Sequence, residues 1–181
     1  MSVRITYFVH GTTTDNEQRL SSGWNDVALS ALGEGQAHAL KETLEGQKFD
    51  AVFTSDLVRA VRTGEIAFDA SIPHVADARL RECNYGDMNG GPSELVEPMQ
   101  ENAITIPMPG GESYEDVKTR TEDFLSILAQ EYDGKHVAIV AHKAPQLALE
   151  VLLRGKTWEE AFAEDWRKTK AWQPGWEYEL R

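Results

Sequence analysis

Val137-Ala138-Ile139-Val140-Ala141-His142-Lys143-Ala144-Pro145 holds the repeating unit of the fold. Five consecutive apolar residues, three of them β-branched, read as a strand buried on both faces. Pro145 suits the first turn of a helix, where its missing N–H is no loss. That helix is expected to reach Leu153. A polar residue, His142, stands at the joint. The same unit recurs upstream. Ile5-Thr6-Tyr7-Phe8-Val9 is a short β-branched and aromatic run that ends at His10-Gly11, before the polar loop Thr12-Thr13-Thr14-Asp15-Asn16. Ala51-Val52-Phe53-Thr54 is a third such run. It ends at Ser55-Asp56, and either residue could cap a helix to about Phe68 with Arg59 one turn in.

The remaining segments fit between these units. Ser30 can cap a helix to about Glu45, with Ala31, Leu32, Ala37, Leu40 and Leu44 near helical spacing and Gly46 as its stop. Pro73 to Val75 reads as a short strand. Ser113-Tyr114-Glu115-Asp116 resembles a capping box opening a helix to about Tyr132. A short helix at Trp158 to Ala163 and a strand at Trp176 to Leu180 follow. Strands alternate with helices, which predicts a three-layer α/β/α fold: a mostly parallel central sheet with helices on both faces. A length of 181 residues fits a single domain, 1–181. Residues 83–112, rich in Gly, Pro, Asn and Met, read as an irregular cap excursion with one short helix near Ser93 to Gln100.

Composition narrows the function. Apolar residues make up 41%, enough for a packed core. A formal net charge of −12 works against nucleic acid or anionic membrane as a partner, because both demand a basic face. No apolar run is long enough to cross a bilayer. Met1-Ser2-Val3-Arg4 leads straight into a strand without the pattern of a secretory signal. Cys83 is the sole cysteine, so no intrachain disulfide can form. Together these predict a cytoplasmic protein.

In open parallel sheets ligands bind beyond the carboxyl ends of the strands. Three polar clusters fall there: His10-Gly11, Ser55-Asp56 with Arg59, and His142. Arg59 offers a fork for phosphate oxygens, and a helix N-terminus near Ser55 would add amide donors. Two histidines beside an arginine suit phosphoryl transfer. The other candidates have plainer readings. His38, His74 and His136 fall on a helix face, in a Pro-flanked turn and at a strand entrance. Trp158, Trp166, Trp172 and Trp176 read as packing residues of the C-terminal segment. Nothing equips Cys83 as a nucleophile.

These residues resemble the histidine phosphatase superfamily, also called phosphoglycerate-mutase-like. Its opening motif is Arg-His-Gly, any residue, Thr, two more, then Asn. Here the chain reads Val9-His10-Gly11-Thr12-Thr13-Thr14-Asp15-Asn16, which agrees except for the arginine. Ser55-Asp56-Leu57-Val58-Arg59-Ala60 with Thr63, Leu80-Arg81-Glu82 with Tyr85-Gly86, Pro109-Gly110-Gly111-Glu112-Ser113 and Val140-Ala141-His142 follow in the family's order. The resemblance covers residues 3 to about 153. It implies that His10 attacks phosphorus and becomes phosphohistidine. It implies that Arg59 and His142 hold the phosphoryl oxygens, with Asn16, Gly11 and Thr13 near the phosphate. Glu82 would protonate the leaving oxygen and then help activate water. Neither metal nor cofactor is implied.

Two departures shape the expected function. Val9 replaces a phosphate-binding arginine of the family, a loss worth on the order of 10²–10³ in rate. Lys143, directly after His142, and Arg19, in the loop after Asn16, are the candidates to restore that charge. The second departure is the absence of Lys and Arg between Glu82 and Val117. A cap without cations fits a small phosphomonoester with an uncharged remainder, hence a phosphatase rather than a mutase. The rival from another class is a phosphate-binding or regulatory protein whose catalysis is weakened or lost.

Overall fold

A computed structural model of the chain describes residues 2–169 and 175–181. Its main sheet has five strands in the order β4-β3-β6-β1-β7. These are β1 (Val3–Val9), β3 (Ala51–Thr54), β4 (His74–Ala76), β6 (His136–Ala141) and β7 (Trp176–Leu180). All neighbours run parallel except β7, which lies antiparallel on the outer edge of β1. A two-stranded ribbon, β2 (Leu20–Ser21) with β5 (Gly91–Pro92), ties the 83–112 excursion to the loop after β1.

The two-residue period of the strands sends alternate side chains to opposite faces. On one face Val3, Ile5 and Tyr7 join Val137 and Ile139 under Phe124, Leu125 and Leu128 of α5 (Tyr114–Glu131) and Leu149 of α6 (Lys143–Arg154). On the other, Phe8, Val52, Ala138 and Val140 pack against Leu40 of α2 (Ala31–Thr43) and Ala67 of α3 (Val58–Ala67). This is the three-layer arrangement that the alternation predicts. Each fully buried aliphatic side chain in these layers contributes about 1.5–3 kcal/mol.

A further apolar cluster anchors the excursion. Cys83, Tyr85, Val96 and Met108 pack with Tyr114 of α5, Ala144 and Leu147 of α6, and Trp158 and Phe162 of α7 (Trp158–Ala163). Val96 belongs to α4 (Ser93–Gln100), the short helix expected there. Trp158 and Trp176 are buried, and Trp166 packs against Trp176 with ring centres 6.1 Å apart. Trp172 lies outside the described residues.

Capping explains most helix starts. Ser30 accepts the Gly33 N–H, and Ser113 and Asp116 form a reciprocal capping box. The start of α3 differs from expectation. Leu57 occupies its cap position, and neither Ser55 nor Asp56 caps it in the usual way. Instead Asp26, from a distant loop, accepts the Val58 N–H at 2.7 Å. The reason is that the nearer groups have other partners. Ser55 Oγ meets His142, and the Asp56 carboxylate takes a two-pronged ion pair from Arg81.

Candidate active site

Strand register brings the two histidines together. Val9 pairs with Ala141 across β1 and β6, so the residues that follow each strand emerge side by side. The imidazole centres of His10 and His142 are 5.0 Å apart. β3 lies on the other side of β6 and delivers Ser55 to the same rim, where its hydroxyl is 2.6 Å from His142 Nε2. Tyr7 sits beneath. Its hydroxyl donates to the His142 carbonyl at 2.6 Å and accepts the His142 N–H at 3.0 Å. His142 is fully buried, and its Nδ1 has no hydrogen-bond partner among the described residues.

His10 Nδ1 lies 2.7 Å from the Gly11 carbonyl oxygen. A carbonyl can only accept, so Nδ1 carries the proton and Nε2 keeps its lone pair. Burial, with the Arg59 charge nearby, pulls the His10 pKa down to about 3. His142 is also held well below the ordinary histidine range, first by burial and then by Arg59 and His10. Both rings are therefore neutral near pH 7, the state a nitrogen nucleophile requires.

The loop carrying His10 is fixed by close backbone packing. The Gly11 N–H donates to Thr63 Oγ1 of α3, which itself donates to the Arg59 carbonyl. A Cβ on Gly11 would sit 2.5 Å from the Gly33 carbonyl oxygen, so only glycine fits against α2. Arg59 is 2% exposed. Its guanidinium donates to the carbonyls of Gly23 at 2.7 Å and Asn25 at 2.9 Å. Burial lowers its pKa, and the Glu82 charge opposes that.

Glu82 is placed by the excursion. Its Oε1 accepts the N–H groups of Cys83 at 2.8 Å and Ala144 at 3.1 Å, the second at the start of α6. Oε2 has no hydrogen-bond partner among the described residues. Arg120 of α5 buttresses this segment by donating to the carbonyls of Arg79, Arg81 and Glu82 and to the Glu112 carboxylate. Glu112 also accepts the Asn84 N–H. The Gly-Gly-Glu-Ser stretch thus acts as a brace for Glu82.

A cavity of about 860 Å³ opens over these groups, lined by His10, Gly11, Asn16, Arg59, Glu82 and Val9 among others. His142 is absent from the cavity wall, fully buried with its ring centre 5.0 Å from that of His10. Thr13 is buried and does not line the cavity; its hydroxyl accepts the Asn16 N–H, while its own N–H donates to Asn16 Oδ1. Thr13 therefore caps α1 (Thr14–Glu17), the short helix that presents Asn16. Arg19 is exposed and also absent from the cavity wall. Lys143 reaches the wall, but its ammonium is 2.9 Å from the Asp165 carboxylate and 2.7 Å from Gln100 Oε1. The helix N-terminus expected to offer amides near Ser55 has the first two taken, Leu57 N–H by Ser55 and Val58 N–H by Asp26.

Several contributors escaped the sequence reading. Tyr7 looks like any strand aromatic, and nothing in its spacing signals the two hydrogen bonds it makes with the His142 backbone. Arg120 falls on a helix face where surface arginine is common. Trp166 and Arg167, at the start of α8 (Trp166–Thr169), line the cavity as well. The sequence places Trp166 among the packing residues. It does pack, but it also contributes to the cavity wall. Cys83 is buried, and burial pushes its thiol up, away from nucleophilic use. His38 and His74 are exposed, away from this cavity.

Comparison with known proteins bears on the family and the fold. The profile of the histidine phosphatase superfamily (branch 1) matches residues 7–171. A 2,3-bisphosphoglycerate-dependent phosphoglycerate mutase of Methylobacterium sp. is 31% identical over 166 residues, 83% of this chain and 80% of that protein. The fructose-2,6-bisphosphatase TIGAR of Xenopus tropicalis is 36% identical over 138 residues, 70% of this chain and 50% of that one. Among solved structures, the alpha-ribazole phosphatase of Shigella flexneri superposes with a TM-score of 0.78 at 26% identity, covering 88% of this chain and 84% of that chain.

Proposed function

Because this chain belongs to the histidine phosphatase superfamily (branch 1), we propose that it is a phosphatase that hydrolyses a small phosphomonoester through a phosphohistidine on His10 and without a metal ion. The observation that carries this reading is the state of His10. The ring is neutral and oriented by the Gly11 carbonyl, beside His142 and in one cavity with Arg59 and Glu82.

In the first step the Nε2 lone pair of His10 attacks phosphorus. The bond from phosphorus to the ester oxygen breaks, and Glu82 gives that oxygen its proton. The positive charge that develops on the imidazole is met by the Gly11 carbonyl on Nδ1–H. Arg59, and His142 through its unpaired Nδ1, stabilise the phosphoryl oxygens. In the second step the Glu82 carboxylate takes a proton from water as the water oxygen attacks phosphorus. The bond to nitrogen breaks, the electron pair returns to Nε2, and orthophosphate leaves.

The absence of basic residues from the excursion favours hydrolysis over a mutase cycle. α4 contributes Ser93 to the cavity and no cation. A second reading has its own support. Val9 places an apolar side chain on the wall beside His10, which fits a protein that binds phosphate with little or no turnover. The experiment is hydrolysis of an aryl phosphate in EDTA by wild type and His10→Ala. Turnover that disappears in the variant supports the phosphatase. No turnover across a broad phosphoester panel, with orthophosphate still bound, favours the second reading. Rapid interconversion of 2- and 3-phosphoglycerate would establish a mutase instead.

A further inference from the structure

A phosphomonoester brings about −1.5 to −2 charges into a chain that already carries −12. One buried guanidinium does not balance that. Among the described residues the cations lining the cavity are Arg59, Lys143 and Arg167. Lys143 is matched by Asp165 before any ligand arrives. That leaves Arg167, carried in from the far end of the chain by the short helix α8.

Arg167 is held but not used up. One of its nitrogens pairs with Glu97 of α4 at 2.5 Å, with the two side chains 37% and 47% exposed. An ion pair so open to solvent is worth little and exchanges readily. A guanidinium has five N–H donors in a planar fork, so the Glu97 contact leaves donors for a second anion. The Arg167 charge is felt inside the site: it acts on His10 in the same direction as Arg59 and on Tyr85 of the cavity wall. Its neighbour Trp166 lines the same cavity, and the indole Nε1 is buried without a hydrogen-bond partner among the described residues. A buried donor left unpaired is costly and marks a place where an acceptor is expected.

We propose that Arg167 is the second cation of the phosphoryl site, with the Trp166 indole N–H as a neutral donor beside it. The non-bridging oxygens are then held between Arg59 from α3 and Arg167 from α8. The charge missing from Val9, at the end of the first strand, is supplied by the C-terminal segment. This rests on the reading of His10 as phosphoryl acceptor and adds a residue to that site.

The test uses inorganic anions, which have no remote group for Arg167 to bind. Orthophosphate affinity and orthovanadate inhibition are measured for wild type, Arg167→Gln, Arg167→Lys and Trp166→Phe, alongside aryl phosphate turnover. Arg167→Gln is expected to weaken both anions at least tenfold and to lower kcat/KM by about 10²–10³. Arg167→Lys should retain part of each, and Trp166→Phe should lose a few-fold. Val9→Arg added to Arg167→Gln should recover at least tenfold, because it restores a guanidinium next to His10. Should Arg167→Gln fold poorly, Glu97→Gln supplies the reverse test: releasing Arg167 should tighten orthophosphate two- to threefold. Wild-type anion affinity in Arg167→Gln overturns the proposal, and so does unchanged or weaker affinity in Glu97→Gln. Anion binding that depends on Arg167 in a protein without His10-dependent turnover would sink the phosphatase reading and leave this one standing. Turnover that needs His10 but ignores Arg167 would do the opposite.

Discussion

Ser55 Oγ lies 2.6 Å from His142 Nε2, and the opposite nitrogen of that ring, Nδ1, is buried and unpaired. The Ser55 oxygen already accepts the Leu57 N–H at 3.4 Å. The hydroxyl keeps a proton to give and a second lone pair. Donated to Nε2, that proton leaves the imidazole proton on Nδ1, and we propose that Ser55 selects this tautomer, the one that can donate to a phosphoryl oxygen.

Ser55→Ala should therefore lower kcat by roughly 10- to 100-fold with a smaller change in KM. The fold should persist, since the lost side chain is small. Steady-state aryl phosphate kinetics checks this. An unchanged kcat would remove the tautomer from the mechanism.

Glu82→Gln preserves the shape of the side chain but cannot protonate the leaving oxygen. The expected loss in kcat is roughly 100- to 10,000-fold for an alkyl phosphate. It should be much smaller for p-nitrophenyl phosphate, whose leaving group needs no proton. A loss of equal size for both substrates would argue that Glu82 positions the site and does not act as the acid.

Arg19 holds a left-handed backbone conformation, φ +57, and its side chain is exposed and off the cavity wall. Arg19→Gly should leave kcat/KM unchanged and stabilise the fold by up to about 1 kcal/mol. Urea unfolding with parallel kinetics tests both parts. A clear fall in kcat/KM would return Arg19 to the list of phosphate ligands.

Gly11→Ala should be costly, because its Cβ meets the Gly33 carbonyl oxygen at 2.5 Å. Backbone on both sides leaves little room to relax, so a loss of about 1–3 kcal/mol or more is expected. The urea midpoint should drop along with activity. A variant of wild-type stability would mean that the approach of the His10 loop to α2 is adjustable.

The histidines also set a pH dependence. His10 has a folded pKa of about 3 against an ordinary 6.5, and His142 and His136 are lowered in the same direction by burial. Below pH 6.5 the unfolded chain takes up protons that the folded chain refuses. Stability therefore rises with pH and is lost as pH falls through 6.5. His10 and His142 each contribute a slope of up to about 1.4 kcal/mol per pH unit, and the more solvated His136 contributes less. Asp56 and Asp77, held low by their arginines, add a loss of the same sign further down. Between pH 6.5 and 4.5, His10→Asn should show a shallower slope in urea unfolding. A slope equal to wild type would place the His10 proton uptake elsewhere.

The sheet and its rim were legible because their signals are local. Apolar runs that stop at His10, Ser55 and His142 mark strand ends, and Ser30 and Ser113 mark helix starts. The α3 cap was not legible, because Ser55 and Asp56 are diverted to His142 and Arg81, and the substitute, Asp26, lies 32 residues from the amide that it caps. Lys143 looked free because Asp165, its partner, is remote in sequence. Arg167 gave no signal at all. It stands in a four-residue helix too short for periodicity, and its place depends on how α7 and α4 pack.

The position of β1 has a consequence in time. Among the described strands of the sheet β1 comes first along the chain, and its two neighbours, β6 and β7, come last. During synthesis its hydrogen-bonding edges have no partner until some 130 further residues have followed, so sheet closure waits on non-local pairing, which is slow. A growing chain can fold its helices early but exposes this apolar strand throughout elongation, a hazard for association between nascent chains. The surroundings of His10 are completed in the same order: Arg59 and Glu82 follow it early, whereas His142 and Arg167 come only with the later part of the chain.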